Sequence, residues 1–145
     1  MTNPPFVLLA DDDEDDRSIF TEILFKINKL INVETVEDGA QLLEKLSQLI
    51  IFPDLLFLDL NMPCLTGHEC LTDIRKQKTL DQLPVIIFST SGRTEDINST
   101  YSKGANLYLK KPNAFHRMEI LLRKVLALDW RNYFPSPPKN LYYIE

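Results

Sequence analysis

Short apolar runs alternate along this chain with stretches of helical spacing. Phe6-Val7-Leu8-Leu9-Ala10 is continuously apolar and predicts a buried strand. Ile19, Phe20, Ile23, Leu24 and Ile27 then fall on one helical face, and the residues from Val33 to Val36 predict a short second strand. Asp38-Gly39 turns into a helix carrying Leu42, Leu43, Leu46, Leu49 and Ile50. Pro53-Asp54 punctuates before the apolar run Leu55-Leu56-Phe57-Leu58, which ends at Asp59. Gly67 opens a segment with Cys70, Leu71 and Ile74 at helical spacing. Val85-Ile86-Ile87-Phe88 predicts a fourth buried strand, followed by a more polar helix from Thr94 to Lys103 that Gly104 stops. Leu107-Tyr108-Leu109 is the fifth strand, and Phe115, Met118, Leu121, Leu122, Val125 and Leu128 mark a final helix from Asn113 onward.

Five strand–helix units with continuously apolar strands predict an α/β domain, a parallel sheet covered by helices on both faces. Ligands of such sheets bind beyond the carboxyl ends of the strands. Asp11 and Asp12 follow the first strand, Asp59 the third, Ser89 and Thr90 the fourth, and Lys111 the fifth. All of these fall at one edge, where they describe an acidic pocket with a hydroxyl and a lysine. The pattern breaks after Leu128. Residues 129–145 hold Trp130, Tyr133, Phe134, Tyr142 and Tyr143 around three prolines, too short a stretch for a second domain. The expected organisation is therefore a domain over residues 5–128 and an aromatic, proline-rich tail over 129–145. The tail aromatics are expected to dock, on the chain's own body or on a second copy near the last helix, because exposing them together would leave an apolar patch.

Composition narrows the function. A hydrophobic fraction of 44% with 26% charged residues is ordinary for a globular protein. The net charge of −5 argues against non-specific nucleic-acid binding, which runs on clustered Lys and Arg. No apolar run approaches the length of a membrane span, and the start lacks the regions of a signal peptide, so no membrane contact and a cytoplasmic location are expected. Cys64 and Cys70 are too few and wrongly spaced for a zinc site or a disulfide framework and are expected to be free thiols; His68 and His116 lie away from strand ends and read as surface or packing residues.

Carboxylates occupy six consecutive positions from Asp11 to Asp16. An acidic helix start accounts for the later ones: Asp13 as N-cap, with Glu14, Asp15 and Asp16 in the first turn, where the helix dipole favours them. It does not account for Asp11 and Asp12 at the strand end. Adjacent like charges raise one another's pKa unless a cation absorbs them, and a hard divalent cation takes a few carboxylate oxygens plus waters.

Taken in order, these residues resemble the receiver domain of bacterial two-component response regulators. The resemblance rests on Leu9-Ala10-Asp11-Asp12-Asp13, on Leu58-Asp59-Leu60-Asn61-Met62-Pro63 with Thr66-Gly67, and on Pro84-Val85-Ile86-Ile87-Phe88-Ser89. Gly104-Ala105 and Tyr108-Leu109-Lys110-Lys111-Pro112 complete it, so that it covers about residues 5–128. It implies a flavodoxin-like doubly wound fold of five strands in the order 2-1-3-4-5. It also implies an aspartyl-phosphate switch. Asp59 is the implied phosphoacceptor, attacking a phosphohistidine of a partner kinase or a small acyl phosphate. Mg²⁺ is the implied cofactor, held by Asp12, Asp59 and the Asn61 backbone carbonyl, with Asp11 acting through water. Lys111 would pair with the phosphoryl oxygens. Ser89 would be drawn to the phosphoryl group, Tyr108 would change rotamer into the space it leaves, and the change would be read on the fourth helix, fifth strand and fifth helix.

The partners implied are a histidine kinase, or a hybrid kinase or histidine phosphotransfer protein, and a homodimer through that same face or through the tail. Departures are modest: Ser89 stands where threonine is commoner, and Thr90 where a smaller residue is common. Two other readings compete. A phosphorylation-independent pseudo-receiver, a pure binding module, would usually lack an acid, the hydroxyl or the lysine, all of which are present. An aspartyl-nucleophile phosphatase of the haloacid-dehalogenase type would need a second Asp two positions after the nucleophile, where this chain has Asn61. The reading that follows is a single-domain regulator, not a turnover enzyme, which catalyses only its own phosphorylation and dephosphorylation.

Overall fold

A computed structural model describes residues 4–145. The strands are β1 (Phe6–Ala10), β2 (Asn32–Val36), β3 (Leu55–Leu58), β4 (Val85–Ser89), β5 (Leu107–Lys110) and β6 (Tyr143–Ile144). The helices are α1 (Glu14–Ile27), α2 (Gly39–Gln48), α3 (Gly67–Lys76), α4 (Thr94–Ser102), α5 (Phe115–Leu126) and α6 (Lys139–Tyr142). All strands are parallel, in the order β2-β1-β3-β4-β5-β6. The expected five-strand order is thus present, with a sixth strand added at the β5 edge. Sequence reading misses β6 because it is two residues long and carries no apolar run.

Local side-chain caps start the helices, at Asp13 as the sequence predicts and at two further positions. Asp13 caps α1 by accepting from the Asp16 N–H at 2.9 Å, and Asp38 caps α2 by accepting from Gln41 at 2.8 Å. Thr66 and Glu69 form a reciprocal capping box on α3. Gly104 ends the α4 connection at φ +97°, a left-handed conformation that favours glycine. The α2 boundary differs from expectation. Leu49 is extended, which carries Ile50 off the helix face and leaves it 97% exposed. Ile19, expected on the buried face of α1, is 37% exposed.

The strands β1, β3 and β4 are wholly buried, whereas β2 forms a partly polar edge. One core layer packs under α2 and α3 around Leu8, Leu56, Ile87 and Cys70. The other packs under α1 and α5 around Val7, Leu9, Phe57 and Leu122, with the rings of Phe20, Phe57 and Phe88 in edge and tilted contacts. Burial of this kind contributes about 1.5–3 kcal/mol per large apolar side chain before entropy is counted.

Two polar side chains tie the periphery to these layers. Arg75 of α3 donates to the carbonyls of Gly104, Leu80 and Leu83 and to Asn106 Oδ1, all within 2.8–2.9 Å. Asn106 in turn accepts from the Val85 N–H and donates to the Tyr133 carbonyl, both at 2.9 Å. The tail therefore docks on the chain's own body. A 3₁₀ turn over Trp130–Tyr133 packs on the α1/α5 layer, and Tyr142 is fully buried between α4 and β5.

Trp130 is the only tryptophan of the chain and packs against Tyr133 in a tilted contact, ring centroids 5.2 Å apart. Its fluorescence is expected to be blue-shifted relative to a free indole, with restricted quencher access, and to change in the same thermal transition as far-UV circular dichroism. A water-like emission maximum with full quenching would contradict the docked tail.

Candidate functional site

The sheet itself positions the site. Three charged residues beyond strand ends are each held by one further rung of the ladder. Asp11 N–H donates to the Val36 carbonyl at 3.1 Å, Asp59 N–H to Ala10 at 3.0 Å, and Lys111 N–H to Ser89 at 2.8 Å. Gly67 lets the start of α3 lie against this edge, since a Cβ there would sit 2.2 Å from the Asp59 carbonyl oxygen. The edge expected from the sequence is therefore formed, and the strand-end residues Asp11, Asp59, Ser89 and Lys111 meet on it.

Lys111 lies at its centre. The ammonium donates to Asp11 Oδ2 at 2.6 Å and to Asp16 Oδ2 at 2.9 Å, and Asp59 Oδ2 is 3.6 Å away. Its carbon stem lies among buried groups, with the nitrogen 5.2 Å from the centre of the Phe88 ring. Burial disfavours the charged ammonium, but attraction from Asp59 and the hydrogen bond and charge of Asp11 outweigh it and hold the pKa above the usual lysine value.

Asp59 experiences the opposite balance. Burial pushes its carboxyl up to about 6. Lys111 and the Asn61 N–H, which donates to Oδ1 at 3.4 Å, oppose that push; Asp11 and Asp12 add to it. Carboxylate oxygens of Asp11, Asp12 and Asp59 all lie within 4.8 Å of one another, with Asp12 exposed and the other two buried. Three carboxylates faced by one lysine leave a surplus of negative charge among converging oxygen donors, which fits a hard divalent cation. Asn61 is exposed at the rim.

The hydroxyl side of the pocket is built by the β4–α4 connection. Ser89 is fully buried, and its Oγ accepts from the Ser91 N–H at 3.1 Å. Tyr108 is also fully buried, its hydroxyl donating to the Ser91 carbonyl at 2.8 Å. Ser91 Oγ donates to Asp96 Oδ2 at 2.6 Å, and Asp96 Oδ1 lies 3.1 Å from His68 Nε2 on α3. Desolvation works to raise the Asp96 carboxyl, but the Ser91 and His68 hydrogen bonds prevail and hold it below the ordinary value. Thr90 is exposed, and beside Lys111 a groove of about 370 Å³ opens between α1 and α5, lined by Asp16, Ile19, Phe115 and Met118.

Sequence reasoning misses three features here. Asp16 reads as a first-turn acid yet is a Lys111 partner; its place five residues after Asp11 on the following helix was the available signal. Ser91, two residues past the expected hydroxyl, joins Ser89 to Tyr108. His68 does pack between helices, but through Asp96 and Ser99 and not through an apolar face.

Over residues 7–123 the chain matches the family described as the response regulator receiver domain. It is 30% identical over 116 residues to the response regulator Rcp1 of Synechocystis sp., covering 76% of this chain and 79% of that protein. Among solved structures it resembles the phosphorylated cyanobacterial phytochrome response regulator RcpA with a TM-score of 0.79 and 29% identity, over 83% of this chain and 90% of that one. It also resembles the Mn²⁺-bound form of Rcp1 with a TM-score of 0.78 and 25% identity, over 93% of this chain and all 100% of that one.

The Asp59 shift has a consequence for stability. A carboxyl whose pKa is raised on folding binds more protons in the native state, so stability falls as pH rises from about 4 through about 6. In metal-free buffer, Asp59→Asn is expected to be more stable than the parent at pH 7–8, by on the order of 2 kcal/mol, with the difference vanishing below about pH 4. Urea titrations across that range read it; a variant destabilised at pH 8 would contradict the electrostatic balance described.

Proposed function

The chain belongs to the response regulator receiver domain family of two-component signalling, and we propose that it is a single-domain regulator that accepts a phosphoryl group on Asp59. The observation that carries this reading is the set of contacts around Lys111, which gathers Asp11, Asp16 and Asp59 at the sheet edge where the buried Ser89 also ends its strand. The donor proposed is a phosphohistidine on a histidine kinase, a hybrid kinase or a phosphotransfer protein, approaching over the α1/α5 groove. No helix among the described residues is long and apolar enough to cross a membrane, and the proposed setting is the cytoplasm.

The Asp59 carboxylate forms the new P–O bond as the P–N bond of the phosphohistidine breaks and the electron pair leaves on the imidazole. Ionised Asp59 is required for this, and a pKa of about 6 leaves it mostly ionised at neutral pH. Asp11, Asp12, Asp59 and the Asn61 carbonyl are the proposed holders of Mg²⁺. The ion would neutralise charge between the attacking and transferred oxygens. Lys111 is proposed to turn from Asp11 and Asp16 toward the new phosphoryl oxygens, as a point charge that can pair but not react. Ser89 exchanges its Ser91 N–H partner for the phosphoryl group, and the β4–α4 connection, with Tyr108, carries the change to α4, β5 and α5.

The complete set of acids, hydroxyl and lysine supports this reading over a phosphorylation-independent binding module. Asn61 in place of an acid supports it over a substrate-turning phosphatase, so the only chemistry proposed is the gain and loss of the chain's own phosphoryl group.

Incubation with acetyl phosphate and Mg²⁺ is expected to add one phosphoryl mass, absent in Asp59→Asn; label persisting in that variant would sink the assignment. Mg²⁺ is expected to raise the melting temperature of the parent and to lose that effect in Asp12→Ala. Lys111→Ala is expected to accept phosphoryl roughly tenfold more slowly, about 1.4 kcal/mol in the barrier, and to lose the phosphorylation-dependent gain in partner binding. Partner binding equal to that of phosphorylated parent would remove Lys111 from the coupling.

A further inference from the structure

Tyr108 is enclosed by the chain's own tail. Its hydroxyl is bound to the Ser91 carbonyl at 2.8 Å, and its ring centroid lies 6.2 Å from that of Tyr142 and 5.7 Å from that of Tyr143. β6 pairs with β5 at this very residue, Tyr108 opposite Tyr143. Tyr142 is itself pinned, its hydroxyl 2.7 Å from Thr100 Oγ1 and its ring edge-on to Tyr101, whose hydroxyl donates to the Pro137 carbonyl at 2.7 Å. Swinging the Tyr108 ring outward would require space those two tail rings fill.

The inward Tyr108 also meets the site, through Ser91 and through Ser89. Ser91 accepts from Tyr108 with its carbonyl and donates to Ser89 Oγ with its N–H. When Ser89 turns to a phosphoryl group it gives up its bond from the Ser91 N–H and its contact with the Tyr108 hydroxyl, while the Tyr108 ring already lies inward. A binding-competent arrangement that is already populated removes the affinity penalty of having to form it.

Resting on the phosphoacceptor reading above, we propose that Tyr142 and Tyr143 are positioning residues: the docked α6–β6 segment holds Tyr108 inward and sets the β4–α4 connection for a phosphorylated Asp59. Tail docking and phosphorylation then reinforce one another, and by linkage the coupling is the same in both directions. In this chain the ring at position 108 is braced by the tail, and the serine-rich connection in front of it passes the change at Ser89 to that ring and on to α4 and β5.

The test uses the full chain with Mg²⁺ and beryllofluoride, a phosphoryl mimic, in calorimetric titrations. Tyr143→Ala is expected to weaken beryllofluoride binding about fivefold or more, with the affinity for Mg²⁺ alone unchanged. Tyr143→Phe, which keeps the ring, is expected to bind like the parent. Equal or tighter beryllofluoride binding by Tyr143→Ala would overturn the inference, the tighter case marking the tail as an inhibitor. Amide exchange on the unmodified chain gives the reciprocal measurement without any variant: Tyr143 and Ile144 are expected to exchange more slowly with Mg²⁺ and beryllofluoride bound, and unchanged or faster exchange would overturn the coupling. A parent chain that fails to bind beryllofluoride, or an Asp59→Asn variant that binds it equally, would overturn the phosphoacceptor reading and this inference with it. Binding by the parent with Tyr143→Ala unaffected overturns this inference alone.

Discussion

The buried ammonium of Lys111 among Asp11, Asp16 and Asp59 is the interaction on which the rest of this molecule turns. Taking a charge out of water costs several kcal/mol, and here Asp11 has no exposure at all. That cost is offset because the ladder of the parallel sheet fixes where each backbone ends. One lysine can therefore lie within 3.6 Å of three carboxylates contributed by β1, α1 and β3. The balance is incomplete by design of the residue types: three acids face one base, and the surplus negative charge falls on Asp59, whose carboxyl is left within reach of the solvent-open side. A site that is neither neutral nor fully solvated is one whose occupancy by a cation or an anion changes the energy of everything attached to it.

The neighbouring hydrogen bonds show how that energy reaches further. Ser91 touches Ser89 with its N–H, Tyr108 with its carbonyl and Asp96 with its hydroxyl. Three different groups of one residue thus serve the site, the β5 strand and the α3–α4 contact through His68. A displacement at Ser89 cannot be absorbed locally, because packed interiors do not deform continuously.

Much of this was legible from residue order. Continuous apolar runs located β1, β3, β4 and β5, since a strand buried on both faces has no polar alternation to confuse with a helix. The rule that ligands sit at carboxyl ends then collected Asp11, Asp12, Asp59, Ser89 and Lys111 without any coordinates, and the structure brings them to one edge. What escaped has a common physical cause. Asp16 and Asp96 act through side-chain reach across elements, which no periodicity encodes. Ile50 looks like a helix face residue because the pattern counts apolar type, not where the backbone leaves the helix. β6 escaped because its pairing is specified by Tyr143 meeting Tyr108 and not by a run of its own. Asn106 escaped for the same reason: one amide joins β4, α3 and the tail, and only three-dimensional placement shows it.

The two-residue length of β6 carries a consequence for how the protein keeps company with itself. A parallel sheet ending at β5 would present a buried-type strand, Leu107-Tyr108-Leu109, with unpaired donors and acceptors at its rim, the kind of rail along which chains stack into aggregates. β6 covers that rail and is too short to offer another. At the far side β2 ends the sheet with exposed Asn32 and Thr35 and with Glu34 tied to Lys45, a rim that water already solvates. The β5 border of the sheet is thereby covered by a strand too short to extend it, while at the β2 border the exposed polar residues and the Glu34–Lys45 ion pair make stacking of a second strand less favourable.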